Sequence, residues 1–522
     1  MPRRTRRAVV VATITTLAPL TAVSGLASLT PAHAEPGAVV RAAVDPVKPA
    51  LWGPRSVTTE VVGRTKPGTK RKGLVPLPVR LTAGSESIEI RTTRTSYAEP
   101  VRAVLTVGDR TVPLPGTVVS GFRGVDRLLT IRAVHRKTGR LVATRTRSGC
   151  LNQWGTQRAR PDAEPRSPYP MDCAGSTSGG SPMPYTLGSV QGVQAGWSTP
   201  LVGYDGGIWL PRGSYTIQVS LRPVVAQALG LTPAEATTSF GATVTKGHRG
   251  HDHGHDEGEG HAHRAGAAPD AAPPTSPPTG RPLGRRAVEG PVPNLRSLPA
   301  WGIDVDESGN YLRFSATVWN AGDSPLVVDG FVDETRQDRM KAYQYFFDTD
   351  GNQTGYQPVG QFEFDHKQTH QHWHFTDFAT YTLLRADKST AVVSRKEAFC
   401  LANTDAVDLT VPGADWQPDN TDLSTDCGEP DSRSLRQVLA AGWGDTYAQF
   451  RAGQSFDLRG LPNGTYYIAT IANPRQRLVE SSTTDNVALR KVVIGGKPGA
   501  RVVRAARVGI VDEPSPDNGD GY

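Results

Sequence analysis

Three histidines alternate with other residues inside the run Phe364-Asp-His-Lys-Gln-Thr-His-Gln-His-Trp-His-Phe-Thr-Asp-Phe378. On a strand, successive side chains turn to opposite faces, so His370, His372 and His374 share one face. Gln371, Trp373 and Phe375 turn to the other and can pack. Three neutral imidazoles held close together are best satisfied by a transition metal, and imidazole suits copper, zinc, iron and nickel. A strand carrying three solvent-facing or hydrogen-bonded histidines is the plainer alternative. The strict spacing and the aromatic flanks favour the metal.

These residues resemble the copper-binding segment of lysyl oxidases, whose animal pattern reads W-H-x-C-H-x-H-Y-H-S-M-x-x-F-x-x-Y-D-L-L. His370, His372 and His374 fall on its three ligands, Trp373 on its Tyr, and Tyr381-Thr-Leu-Leu384 on its Y-D-L-L. Thr369 stands where the family has Cys, and Lys367 where it has His, with His366 one place off. Further on, Arg395-Lys396-Glu-Ala-Phe-Cys400-Leu resembles H-K-A-S-F-C-L, and Gly442-Trp-Gly-Asp-Thr-Tyr447 resembles G-C-Y-D-T-Y. Tyr311-Leu-Arg-Phe-Ser, Gly464-Thr-Tyr-Tyr-Ile, Asn473-Pro, Val479-Glu-Ser and Asp485-Asn-Val487 match the remaining pattern in order. The resemblance covers about residues 292–493 and leaves out the N-terminal half.

The resemblance implies a copper amine oxidase. Copper sits on His370, His372 and His374, and Lys396 and Tyr447 join as a self-derived lysine tyrosylquinone. That quinone carbonyl condenses with a primary amine, peptidyl lysine among the candidates. Dioxygen reoxidises the ring, so an aldehyde, H2O2 and ammonia leave. Asp377 and Asp445 are the nearby carboxylates available as a base; a turn or cap role is the favoured reading of each. Two other readings stay open: a copper-binding protein without the quinone, and an adhesion or wall-binding protein that works through its N-terminal half.

The elements around the site follow from composition and periodicity. Arg3, Arg4, Arg6 and Arg7 precede an apolar run, and Ala32-His-Ala34 offers a cleavage site, so residues 1–34 read as a signal peptide and the mature chain as secreted. The formal charge of +8 falls to +4 without those four arginines, and no nucleic-acid partner is inferred. No later stretch is long and apolar enough to span a membrane. Cys150, Cys173, Cys400 and Cys427 are the only cysteines, and in an exported chain the simplest pairing is Cys150 with Cys173 and Cys400 with Cys427. Six of the twelve histidines lie between His248 and His263, followed by a Pro-, Ala- and Gly-rich stretch, so residues 246–291 read as a disordered linker, either a loose metal scavenger or a solvated spacer.

Either side of the linker the chain reads as β. Residues 51–245 show strand patterns at Val101–Val107, Leu128–Val134, Arg140–Thr146 and Tyr215–Leu221, which with intervening turns suggest a sandwich-like domain. Residues 292–498 form the second β-sandwich-like domain, and 499–522 read as a disordered tail. Asp348-Thr-Asp-Gly-Asn352 reads as a turn, since it lacks the distal Glu of a calcium loop. One echo links the halves: Leu210-Pro-Arg-Gly-Ser-Tyr-Thr-Ile and Leu461-Pro-Asn-Gly-Thr-Tyr-Tyr-Ile, each running on at equal spacing to a proline, Pro223 and Pro474. Either the N-terminal half copies the C-terminal fold without its histidines, or both use one common turn.

Overall fold

A computed structural model describes residues 48–513, apart from 62–71, 175–182, 204–205, 247–289, 334, 349–350, 367–370, 395–397, 419–422, 450 and 452. The expected signal peptide and nearly all of the expected linker lie outside the described residues. The rest is mainly β, with a single short helix, Pro223–Ala228, among the described residues. Strands form where apolar and polar residues alternate. Tyr215, Ile217, Val219 and Leu221 are buried while Thr216, Gln218 and Ser220 face outward. The four strands expected in the N-terminal half appear as Arg102–Val107, Val125–His135, Leu141–Gly149 and Gly213–Leu221.

Each half builds its own apolar core, one from residues between Val75 and Val244, the other from residues between Leu295 and Ile494. In the C-terminal half three sheets enclose that core. One runs in the order Ala398–Phe399, Trp373–Thr376, Gln353–Phe364, Arg336–Phe347, Leu326–Asp333, Ser434–Leu439. The second centres on Tyr311–Asn320 paired with Trp443–Tyr447. The third runs Thr390–Val393, Ala379–Arg385, Gly464–Ala472, Val487–Lys497, Ala500–Ala505.

That third sheet has a counterpart in the N-terminal half, ordered Leu141–Gly149, Val125–His135, Gly213–Leu221, Thr237–Thr245, Ser56–Glu60. The echo strands occupy the same central place. Their registers agree residue for residue: Tyr215 faces His135 and Leu221 faces Leu129, as Tyr466 faces Arg385 and Ala472 faces Ala379. A left-handed residue stands two positions before the first residue of each partner strand that pairs with the echo strand, Arg127 (φ 49°) before Leu129 and Asp377 (φ 67°) before Ala379. Arg222 N–H donates to Leu128 C=O at 2.8 Å, and Asn473 N–H to Phe378 C=O at 2.7 Å. Each tyrosine hydroxyl donates back to the proline carbonyl four residues upstream, Tyr215 to Pro211 at 2.8 Å and Tyr466 to Pro462 at 2.7 Å. The halves are therefore two copies of one arrangement. On this register Phe122 and Gly124 stand where His372 and His374 do.

Between these two five-stranded sheets the fifth strand differs in direction. In the first copy it is Ser56–Glu60, parallel to its neighbour; in the second it is Ala500–Ala505, antiparallel. The latter corrects the expectation of disorder from residue 499. Arg501 and Val503 turn inward and Val502 outward, so the segment alternates as an edge strand must. Arg501 is buried with its two terminal nitrogens donating to the carbonyls of Leu461 and Gly496 and to Asn463, while its Nε is buried without a hydrogen-bond partner. Beyond it, Ile510 N–H donates to Tyr97 C=O at 2.8 Å and Val511 is buried. The Asp348–Asn352 run is the expected turn, with Asn352 N–H donating to Asp348 Oδ1 at 2.8 Å and Gly351 at φ 81°.

If the two tyrosine-to-proline bonds are equivalent supports, Tyr215→Phe and Tyr466→Phe should each lower unfolding free energy by about 1 kcal/mol in urea titrations. A loss confined to one of them would mark the other as incidental.

Candidate metal and tyrosine site

The histidine run forms the second arm of a hairpin. Phe364 pairs with Trp373, Glu363 with His374 and Phe362 with Phe375. Asp365 N–H adds one more rung, donating to His372 C=O at 3.1 Å. Trp373 and Phe375 are buried, their rings 5.4 Å from Phe364 and 5.3 Å from Phe362. Gln371, expected to pack with them, is exposed, because it lies before the paired segment begins.

His372 and His374 share the opposite face, as their spacing requires. Their Nε2 atoms approach to 2.9 Å with the rings edge-on. Behind His374, Asp365 Oδ2 lies 4.0 Å from Nδ1. An imidazole whose Nδ1–H faces a carboxylate presents its Nε2 lone pair to a metal. The two Nε2 atoms lie at a separation that metal bonds of about 2.0 Å could bridge, so the pair fits a metal ion. His370 lies outside the described residues. Among the described residues no three His, Cys, Asp or Glu side chains gather closely enough to hold a metal.

The hairpin's other edge leads to the tyrosine. Phe375 pairs with Phe399 and Thr376 with Ala398. The fully buried Phe399 ring meets Tyr447 at 4.8 Å, Phe378 at 5.7 Å and Tyr381 at 5.9 Å. Phe399 thus sits between the histidine strand and the Tyr447 strand. Lys396 lies outside the described residues, two positions before Ala398 in the sequence.

Cys400 and Cys427 are bridged, as are Cys150 and Cys173, which is the expected pairing. The first of these bridges is built into the site. Tyr447 Oη donates to Cys400 C=O at 3.1 Å, and Trp373 N–H donates to Cys427 C=O at 2.8 Å. Gln437, fully buried, completes the brace: its Nε2 donates to Trp373 C=O at 2.9 Å and its Oε1 accepts from Leu401 N–H at 3.0 Å.

Sequence reasoning missed Gln437, although a signal existed. In the first copy Gln191 Oε1 accepts from Leu151 N–H at 3.3 Å, again beside the bridged cysteine. Both glutamines precede an Ala-Gly-Trp, at Ala195–Trp197 and Ala441–Trp443, with each glycine left-handed (φ 72° and 86°). Asn152 and Asn403 likewise each accept from a backbone N–H, of Gly192 at 3.0 Å and Ala440 at 2.8 Å. Counting from these tryptophans puts Leu201 where Tyr447 stands.

The Tyr447 phenol is pushed well above its ordinary range, by burial first and then by the negative charge of Asp445 and the neighbouring Tyr381. Tyr381 is raised in the same way, by burial and then Asp445. Asp445 is buried two residues before Tyr447 on the same strand face. Asp377 is the turn residue expected of it: left-handed, and held by Arg475 and Arg477 at 3.1 Å each. That leaves Asp445 as the carboxylate beside the tyrosines.

Residues 334–502 match the family model for lysyl oxidase. No curated protein matches the chain.

Replacing both Cys400 and Cys427 by alanine opens a loop of 27-residue separation, and unfolding free energy should fall by about 3 kcal/mol. Because both carbonyls also hold the site, amide exchange at Trp373 should rise with it. A stability loss that left Trp373 protected would show that the bridge does not brace the histidine strand.

Proposed function

Starting from a C-terminal half that carries a lysyl oxidase domain, we propose that the chain is an exported copper-dependent amine oxidase. Its substrates are primary amines, peptidyl lysine among them, and its products an aldehyde, H2O2 and ammonia. The observation that carries this reading is the convergence of the His372 and His374 Nε2 atoms, with the Tyr447 ring packed on Phe399 of the segment paired with the His374 strand. His370, His372 and His374 would hold the copper, with Asp365 orienting His374. Copper would supply redox exchange with dioxygen and the oxidation of a nearby phenol.

The remaining work falls to this chain's own groups. Tyr447 is to be oxidised and joined to Lys396, which must arrive as the free amine, since an ammonium has no lone pair to add. A water-poor pocket lowers a lysine's pKa and favours that form. The Tyr447 hydroxyl donates to Cys400 C=O, and burial first and Asp445 second disfavour its phenolate, so the ring is held as the neutral phenol. Asp445 is the buried carboxylate that could take up a proton beside this ring. Phe399, Phe378 and Tyr381 line this region and exclude water.

The expected result is peroxide release from a simple primary amine by copper-loaded, aerated protein, abolished by a carbonyl reagent. Lys396→Arg and Tyr447→Phe should keep copper yet lower peroxide release by at least about a thousandfold, since guanidinium does not add to the ring and phenylalanine lacks the oxygen. Peptide mapping should find one cross-linked pair containing Lys396 and Tyr447. Joint replacement of His370, His372 and His374 by alanine should abolish one tight copper per chain, whereas deleting residues 248–263 should remove only weak binding. Full activity in Lys396→Arg would sink the quinone and leave a copper-binding protein.

A further inference from the structure

The first copy carries Phe122, Gly124 and Leu201 at the places of His372, His374 and Tyr447, so it cannot repeat the chemistry. Its contacts point to another task. In the second copy the loop closed by Cys400 and Cys427 crosses beside the Tyr447 strand: Asp405 pairs with Gly444 and Ala406 with Trp443. Thr404 tightens that contact, its Oγ1 donating to Gly444 C=O at 3.0 Å and accepting from Thr446 N–H at 2.7 Å. The next three residues are gripped from the first copy. Leu187 N–H donates to Val407 C=O at 2.6 Å, and Leu409 N–H donates to Gly188 C=O at 3.0 Å, forming a parallel bridge between Gly188 and Asp408. Val407 N–H meanwhile donates to Gly442 C=O at 2.9 Å, so one residue is fixed from both sides.

The fit at this point leaves no slack. A Cβ on Gly188 would lie 2.0 Å from Asp408 Oδ1 and 2.5 Å from Thr410 Oγ1. Those two atoms are hydrogen-bonded to each other, so neither swings away without loss. Farther along the same loop Trp416 stacks on Tyr169 at 5.8 Å and 12°, and Gln417 Nε2 donates to the carbonyls of Ser167 and Tyr169 at 2.6 and 2.5 Å. Gln417 and Trp416 thus dock on the loop that Cys150 and Cys173 close in the first copy. The histidine hairpin, by contrast, is paired within its own sheet.

We infer that the N-terminal half is a positioning module: through Leu187–Gly188 and Tyr169 it holds residues 407–417, and so keeps the strand that ends in Tyr447 in place. The inference rests on the reading of Tyr447 as the oxidised residue, but its physical core does not need copper. The test uses full-length protein with Gly188→Val, and, because that change could prevent folding, a second variant joining Tyr169→Leu with Gln417→Ala. Deuterium exchange over residues 443–447 should speed up by about tenfold in the first and about threefold in the second, while peptides covering residues 373–385 keep their wild-type rates. After aerobic copper loading, the yield of phenylhydrazine-reactive protein should fall by about the same factors, whereas copper affinity from chelator competition should stay within about twofold. A general weakening of the fold would lower copper affinity along with the adduct, and that result overturns the inference. So does unchanged exchange over 443–447 in a folded variant. If wild-type protein forms no adduct at all, the oxidase proposal falls while the exchange measurement still decides this one.

Discussion

The C-terminal half depends on one covalent bond and the two carbonyls beside it. The Cys400–Cys427 bridge places the acceptor for the Tyr447 hydroxyl next to the acceptor for the Trp373 N–H, the amide between the two placed histidines. Two strands that belong to different sheets are thereby tied to a common point. Neither strand could supply this itself: the Trp373 strand is four residues long and the Tyr447 strand five. Strands that short hold a side chain to sub-ångström tolerance only when something outside their own ladder fixes them. Gln437 adds that fixing from within, spending both ends of its amide on the same two segments. A buried primary amide left half-satisfied would cost more than its removal, so its two bonds stand or fall together.

How much of this was legible follows from the range over which each pattern acts. The alternation of His370, His372 and His374 is local, and a period of two reads the same on paper as on a strand. The cysteine pairing was legible because each pair closes a loop inside one half. The echo around Tyr215 and Tyr466 was legible as letters, but its meaning needed the register, which no string of letters carries. Ala-Gly-Trp was equally present twice and went unread, since three residues mean little until both are seen to open a strand behind a buried glutamine. Asp365 lies in the histidine run with no role legible from its letter, because a carboxylate's use depends on which ring it faces. The grip of Leu187 and Gly188 on Val407 joins residues about 220 positions apart, beyond the reach of any periodicity.

The two copies also show what a fold keeps when chemistry is not required of it. The tyrosine-to-proline bond, the glutamine beside the bridged cysteine, the left-handed glycine before tryptophan and the sheet register are all present in both. These are the elements that satisfy buried backbone groups, and a sandwich without them would leave polar atoms stranded. What differs includes the fifth strand and the residues at the places of His372, His374 and Tyr447. The architecture is thus separable from the site it carries.

The fifth strands give the molecule a direction in time. The first copy takes its outer strand from residues 56–60, made early, so its sheet is whole as soon as residue 245 is available. The second copy takes its outer strand from residues 500–505, made after the other strands of its sheet, and until then Val487–Lys497 is an open edge. Chains synthesised from the N-terminus fold their leading portion first. The surface presented by Leu187 and Gly188 is accordingly finished before Val407 has anything else to settle against, and the later half completes itself on a template already set. A chain shortened by its last 23 residues would lose that closing strand and keep a ready-made edge for pairing with its neighbours, so such a truncation would aggregate rather than simply lose activity.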